Sequence, residues 1–422
     1  MKNNNRYLYI YYFILLLILL LRDSVDAPSV ILRVAYLIAF LFPLIFAHKE
    51  IFPAILTCFM VVGTYGYAFN YMPYEMYTYF VMSLLCMTFT RRQYKYKQIS
   101  IVFILALVLI LLRNFFDSYQ FHNIFYCVAS VGIFALTSQK DNNERGYSML
   151  YCFVIISLAL SLLYLFNYER FIEDYNKGAG LERAGWIDPN YFSCIIGMGI
   201  LSSIILMIRK NGLVFWKKLI LVLTILLSFI AQVLMASRGG ILAVSMGMGI
   251  LIFFSNIKFK YKVLSVLLIV AFVIWMNAND YFTLLEYRIQ NDDGTGSGRL
   301  DIWKSKFQAF TIDANVLTWL FGLGHKTAFE LTGSGNQGVG FHNDFIAIFC
   351  AYGIVGLVVF LYWYIYPLYR SIQRDKFIVF AMLLYMVVVS MTLEPMSYGY
   401  LPYYSFFYTI ILVSSGALVQ KE

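Results

Sequence analysis

The sequence predicts an all-α fold: a polytopic bundle of transmembrane helices. Three observations carry that expectation. Hydrophobic residues fill 61% of the 422 positions and charged residues only 13%, about half the charge of a typical soluble chain. Apolar runs long enough to cross ~30 Å of hydrocarbon recur from end to end. The runs are continuous, as at 101–112 and 219–232, and do not alternate as barrel strands do. In hydrocarbon every backbone N–H and C=O must find a partner within its segment or next to it, which selects helices.

About fourteen helices follow in order, near 7–21, 29–47, 51–70, 75–90, 98–112, 122–138, 147–167, 190–208, 215–236, 239–255, 261–278, 343–365, 377–392 and 401–418, with twelve as the alternative count. The first run follows Lys2 and Arg6 and imitates a signal peptide. Arg22-Asp23 is a poor cleavage site, so the run is read as a retained helix. An even number of crossings puts both termini on one side, and Lys and Arg mark that side as cytoplasmic. With the N-terminus inside, 20 of the 32 Lys and Arg lie inside but only 5 of the 23 acids, giving +15 inside and −6 outside. The overall charge of +9 is therefore a topology signal and not a nucleic-acid footprint. Arg91-Arg92-Gln93-Tyr94-Lys95-Tyr96-Lys97 is read as an orientation anchor beside anionic membrane lipid. Cys58, Cys86, Cys127, Cys152, Cys194 and Cys350 all fall in apolar runs without C-x-x-C spacing and are read as packing residues.

Two outer loops are long, about 167–189 and about 278–341. Long connections between packed elements are functional or disordered. The second holds Trp303, Phe307, Phe310, Trp319, Leu320 and Phe321, too many apolar groups for a wholly disordered segment. Residues 299–310 read as a short helix with Leu300, Trp303, Phe307 and Phe310 on one face and Asp301, Lys304 and Lys306 polar. A helix lying on the membrane surface and a helix packed on the protein both fit. The Gly-rich stretches 294–298 and 333–338 supply permissive backbone, and neither has the G-K-[ST] of a phosphate loop.

Charged residues collect where these loops meet the helices. In Arg183-Ala184-Gly185-Trp186-Ile187-Asp188-Pro189-Asn190, Asp188 then Pro189 makes a good helix start and leaves Arg183 unexplained. Ser237-Arg238-Gly239-Gly240 joins two apolar helices with almost no loop. An arginine there snorkels or meets an anion, and its small neighbours favour close approach of another group. Gly298-Arg299 opens the short loop helix. Phe341-His342-Asn343-Asp344 opens a membrane helix: Asn343 or Asp344 caps it, and its positive end favours a neutral imidazole at His342 or a bound anion. A neutral imidazole accepts a proton near pH 7. Guanidinium groups hold phosphate through paired hydrogen bonds. Three arginines and a histidine at one outer face therefore suggest an anionic lipid-linked substrate such as a polyprenyl diphosphate. Four histidines without paired ligand spacing argue against a metal site, and no cofactor is expected.

The ordered set Arg183…Gly185…Asp188-Pro189-Asn190, Ser237-Arg238-Gly239-Gly240, Gly298-Arg299 with Trp303, Gly322-Leu323-Gly324, and His342-Asn343 followed by Gly353-Ile354 and Gly356 resembles the O-antigen polymerase and O-antigen ligase superfamily. The resemblance covers about 180–360. It divides the chain into N-terminal membrane helices (1–180), a core (181–360) that includes an extracytoplasmic loop (279–342) before the twelfth helix, and C-terminal membrane helices (361–422). It implies a metal-independent glycosyltransferase of the GT-C kind in a bacterial cytoplasmic membrane, with its active site outside. The donor would be a glycan on undecaprenyl diphosphate and the acceptor a hydroxyl. Arg238 and Arg299 would hold the diphosphate, with help from Arg183, and His342 would deprotonate or orient the acceptor. Asn190, Trp303 and Asn343 complete the expected binding residues.

Under this resemblance the acceptor is another lipid-linked repeat unit, making a polymerase of O-antigen, capsule or exopolysaccharide with a flippase and a chain-length regulator as partners. A ligase to lipid A core or to protein keeps the same donor chemistry. A flippase or transporter is the reading from another class, and it is disfavoured by the absence of an internal repeat and by the scarcity of mid-helix charge, Arg33 near a helix end being the exception.

Overall fold

The computed structural model describes residues 143–169, 189–210, 212–290, 298–312, 314–331, 340–371, 376–394 and 401–414, together with Ile14 and Val34. The six helices expected within 7–138 lie outside the described residues, apart from those two helical positions. No strand occurs among the described residues. The helices are α1 (Asn143–Phe166), α2 (Pro189–Arg209), α3 (Phe215–Leu234), α4 (Arg238–Phe254), α5 (Phe259–Ala278), α6 (Thr283–Gln290), α7 (Arg299–Ile312), α8 (Val316–Phe321), α9 (His325–Glu330), α10 (Asp344–Arg370), α11 (Lys376–Thr392) and α12 (Leu401–Ser414).

The eight expected membrane helices beyond residue 140 are present as α1–α5 and α10–α12. Most ends fall close to expectation because apolar composition and end signals coincide. The ring of Pro189 opens α2, where a missing N–H costs nothing. Among the described residues, five helices are long and apolar enough to cross a membrane: α1, α2, α3, α5 and α10. α4 and α11 have 17 residues each, about 25 Å of helix. α10 runs on through Pro367 to Arg370 rather than ending near 365.

Small residues let the helices touch. A Cβ on Gly199 of α2 would come 2.0 Å from Ser157 Cβ of α1. Such close approach is how helices associate where lipid gives no hydrophobic drive. Buried polar groups are paired across the same contacts. Ser157 Oγ donates to Ile196 O at 2.8 Å, Gln232 Nε2 to Ser193 O at 2.6 Å, and Tyr403 OH to Tyr191 O at 3.0 Å.

One end of the bundle is basic. Lys210, just past α2, stands 5.0 Å over the Tyr147 ring of α1, and Arg209 lies 5.4 Å over Phe377 of α11. The opposite end gathers the N-termini of α2, α4 and α10 with the C-termini of α3 and α11, and it carries the loop helices α6–α9.

α7 packs on the protein through one part of its apolar face. Its Phe310 is buried among Phe307, Trp319 of α8 and Phe349 of α10, with ring centroids 5.3–6.4 Å apart. The expected apolar face is corrected at three positions. Leu300 and Phe307 are exposed, and Lys306, expected on the polar side, is 1% exposed.

α10 is broken at Gly353, whose φ of +68° is non-helical. The break frees carbonyls that a continuous helix would use internally. Leu323 N–H and Gly324 N–H take up the Cys350 and Ala351 carbonyls, each at 2.9 Å. A Cβ on Gly322 would sit 2.3 Å from the Ala351 carbonyl carbon, and one on Gly353 2.4 Å from that of Leu320. Both glycines have positive φ, so the Gly322-Leu323-Gly324 turn and the helix break lock backbone to backbone.

Candidate functional site

The site is best built outward from the turn between α3 and α4. Ala236 adopts φ +50° there, a left-handed conformation that shortens the connection to Met235-Ala236-Ser237. Ser237 caps α4 by accepting the Gly240 N–H at 3.4 Å. The same hydroxyl donates to Asn190 Oδ1 at 3.1 Å. Asn190, expected as a binding residue, therefore fastens the start of α2 to the start of α4. Arg238 is the first residue of α4 and is half-buried.

The space around the small neighbours of Arg238 is filled by protein. A Cβ on Gly239 would lie 2.7 Å from Thr392 Oγ1, and one on Gly240 2.1 Å from Ser193 Oγ. The expectation that they leave room for another group is corrected: they seat α4 against α11 and α2. That contact has a second consequence. Thr392 ends α11 two residues before Glu394, and Glu394 reaches the histidine loop.

Glu394 is 2% exposed, and its carboxylate accepts the Phe341 N–H at 3.0 Å. The His342 backbone N–H faces the same carboxylate. Burial pushes its pKa up to about 8, with the Asp344 charge adding and the two N–H groups and Lys306 opposing. On the other side of the loop, Trp303 Nε1 donates to Phe341 O at 2.6 Å. The buried Lys306 ammonium donates to Phe329 O at 2.8 Å and stands 4.6 Å over the Phe341 ring. Its pKa is pushed down by burial and pulled back by Glu394. Phe341 is thus held from three sides, and His342 follows it at φ +50°. A non-glycine residue in that region carries about 1–3 kcal/mol of strain and persists only where its surroundings enforce it.

Asn343 caps α10 by accepting the Ile346 N–H at 3.2 Å. Asp344 is fully buried, accepts from Ser390 Oγ at 2.8 Å, and donates its N–H to Leu393 O at 3.2 Å. Arg299 opens α7 one turn before Trp303, so the two share a helix face. Both Arg299 and His342 are half-buried.

Five of the expected residues therefore join one path of contacts. Asn190 meets Ser237 beside Arg238, Gly239 meets Thr392 beside Glu394, and Glu394 and Trp303 grip the loop of His342 and Asn343. Arg183 lies outside the described residues. Three residues escaped sequence reasoning: Glu394, Lys306 and Arg288, whose Nη1 donates to Ala236 O at 2.6 Å. A signal existed for the first. Glu394 is the only charged residue between Lys376 and Lys421, and a lone acid in apolar surroundings is functional by default. Lys306 falls three and seven residues after Trp303 and Arg299, the spacing of a shared helix face. Arg288 gave no such sign.

A family model described as O-antigen ligase matches residues 223–361. Residues 223–361 form an O-antigen ligase family domain. The O-antigen ligase domain supports the wider ligase and polymerase superfamily of glycosyltransferase-like membrane enzymes. Its matched stretch runs from within α3 into α10 and contains Arg238, Arg299, Trp303, His342 and Asn343. Asn190 and Glu394 lie outside it and close on it through the contacts above. With the apolar helices, the O-antigen ligase domain identifies a multi-pass membrane protein. No curated protein matches the chain.

Proposed function

We propose that the chain is a metal-independent polymerase of polysaccharide repeat units. It transfers a glycan from undecaprenyl diphosphate to a hydroxyl of another lipid-linked repeat unit at the outer face of the bacterial cytoplasmic membrane. The observation that carries this reading is the contact path that joins the Arg238 turn to the His342 loop at the less basic end of the bundle.

In the proposed reaction the acceptor oxygen attacks the anomeric carbon, and the bond from that carbon to the diphosphate oxygen breaks. His342 takes the acceptor proton. The diphosphate leaves with the electron pair, and Arg238 and Arg299 stabilise the charge that develops on it. Trp303, Asn190 and Asn343 hold the backbone that aims these groups, and Arg183 is assigned to the diphosphate as well. A flippase that delivers the donor and a chain-length regulator are the proposed partners.

A second reading keeps the donor chemistry and changes the acceptor to lipid A core or a protein hydroxyl. The description of the matched family model as a ligase favours it. One experiment separates the two. Purified protein in nanodiscs receives undecaprenyl-diphosphate-linked repeat units with EDTA present. Lengthened lipid-linked chains from the natural protein, and none from His342→Ala or Arg299→Ala, support the polymerase. Chains only after lipid A core or an acceptor protein is added support the ligase. Lengthening that requires a metal sinks the metal-independent mechanism.

A further inference from the structure

At the basic end, away from the candidate site, α5 is only lightly packed among the described residues. Only 6% of its span is buried, against 83% for α2. Between α5 and the helices α2, α3 and α4 lies a cavity of about 350 Å³. Ile208, Phe229, Ile252 and Leu268 represent its four walls, and Lys262 and Ser265 are its polar lining residues. The cavity is open on one side, so its apolar walls gain contacts from whatever chain lies in it.

The mouth of the cavity is positively charged. The connections 209–218 and 255–262 carry Arg209, Lys210, Lys217, Lys218, Lys258, Lys260 and Lys262 and no Asp or Glu. Lys262 Nζ donates to Phe253 O at 2.6 Å, and Lys258 and Lys260 are exposed. Among the described residues no carboxylate pairs with Lys217, Lys218, Lys258 or Lys260. The uncompensated charge is felt locally: burial and then Lys217 push the Lys210 pKa down. Exposed Phe215, Trp216, Phe259 and Tyr261 at the same level form the aromatic belt of a membrane interface.

We propose that this groove binds an anionic phospholipid, with an acyl chain between α5 and α2–α4 and the phosphate against the lysines that open α5. The seated lipid gives α5 the packing that its helix neighbours do not. This assignment rests on the proposed function, in which a lipid-linked substrate places its diphosphate against the arginines at the far end.

The test titrates the purified, delipidated full-length protein with phosphatidylglycerol, phosphatidylcholine or undecaprenyl phosphate and reads bound lipid by native mass spectrometry. The expected result is selective retention of phosphatidylglycerol. Retention falls roughly 30-fold in Lys258→Gln/Lys260→Gln and disappears in Ser265→Trp, where the indole fills the groove. The lysine variant changes exposed side chains only, so it decides the matter even where Ser265→Trp fails to fold. Equal retention of the two phospholipids, unchanged binding in the lysine variant, or displacement of phosphatidylglycerol by undecaprenyl phosphate overturns the proposal.

Discussion

The Glu394 carboxylate accepts the backbone N–H of Phe341 at 3.0 Å, which ties the end of α11 to the residue before His342. The bond spans 53 residues, and it comes from outside the matched family domain. It fixes the backbone immediately before His342, whose φ is left-handed. Substituting Glu394→Ala leaves two buried N–H groups without their acceptor, at a cost of about 1–3 kcal/mol. Thermal unfolding in detergent is expected to shift down, and turnover of lipid-linked glycan to fall further than the stability loss accounts for. Unchanged turnover in a folded Glu394→Ala protein removes Glu394 from the site.

The raised pKa of Glu394 makes stability depend on pH. Its folded value of about 8 lies above the ordinary 4.5, so the folded state binds more protons between those values. Its contribution is full below about pH 4.5 and is lost as pH rises through about 8. Unfolding midpoints of the natural protein between pH 5 and 9 are expected to fall with rising pH, and the slope to flatten in Glu394→Gln. Equal slopes in the two proteins contradict the assignment.

Trp303→Phe keeps an aromatic ring and removes only the indole donor to the Phe341 carbonyl. One hydrogen bond contributes about 0.5–1.5 kcal/mol. A small drop in melting temperature is expected, with a larger drop in turnover because the His342 loop loses one of its three supports. A variant with wild-type turnover shows that Trp303 serves packing alone.

Arg238→Lys and Arg299→Lys keep the charge and lose the planar fork. Each is expected to lower turnover about 10²-fold or more while the melting temperature stays near that of the natural protein, since both side chains are half-buried. Single-turnover assays on lipid-linked repeat units read the effect directly. Full activity in either lysine variant argues against paired hydrogen bonding to diphosphate.

Gly322→Ala and Gly353→Ala each place a methyl group within 2.4 Å of backbone, at residues with positive φ. Neither neighbour can swing aside, so both variants are expected to lose several kcal/mol, about 4 or more. Size-exclusion profiles and thermal melts in detergent test this. Gly298→Ala serves as the control: it also has positive φ but nothing within 4 Å, so its cost is that of the backbone alone.

The chain's membrane helices beyond residue 140 were legible because apolar length is a local property. Pro189 and Asn343 marked helix starts for equally local reasons, a missing N–H and a side-chain acceptor. The motifs around Arg238, Arg299, Trp303 and His342 were legible as charges at helix ends. Their surroundings were less so. The room expected beside Gly239 and Gly240 is taken by Thr392 and Ser193, which are distant in sequence. Lys306 was assigned to the polar side on its charge alone, although its spacing matched Trp303.

The sequence by itself determined the eight apolar helices beyond residue 140 and the basic connections at one end of them, and it singled out the candidate arginines and histidine, since each depends on residues close together along the chain; the short loop helices α6, α8 and α9 were not legible in it. Only the tertiary structure decided that α7 packs on α10, that Gly322 and Gly353 interlock, and that Glu394 and Lys306 hold the loop before His342. Those facts depend on which helices become neighbours. In a membrane that choice rests on close contacts and paired polar groups between distant segments, and no local pattern encodes it.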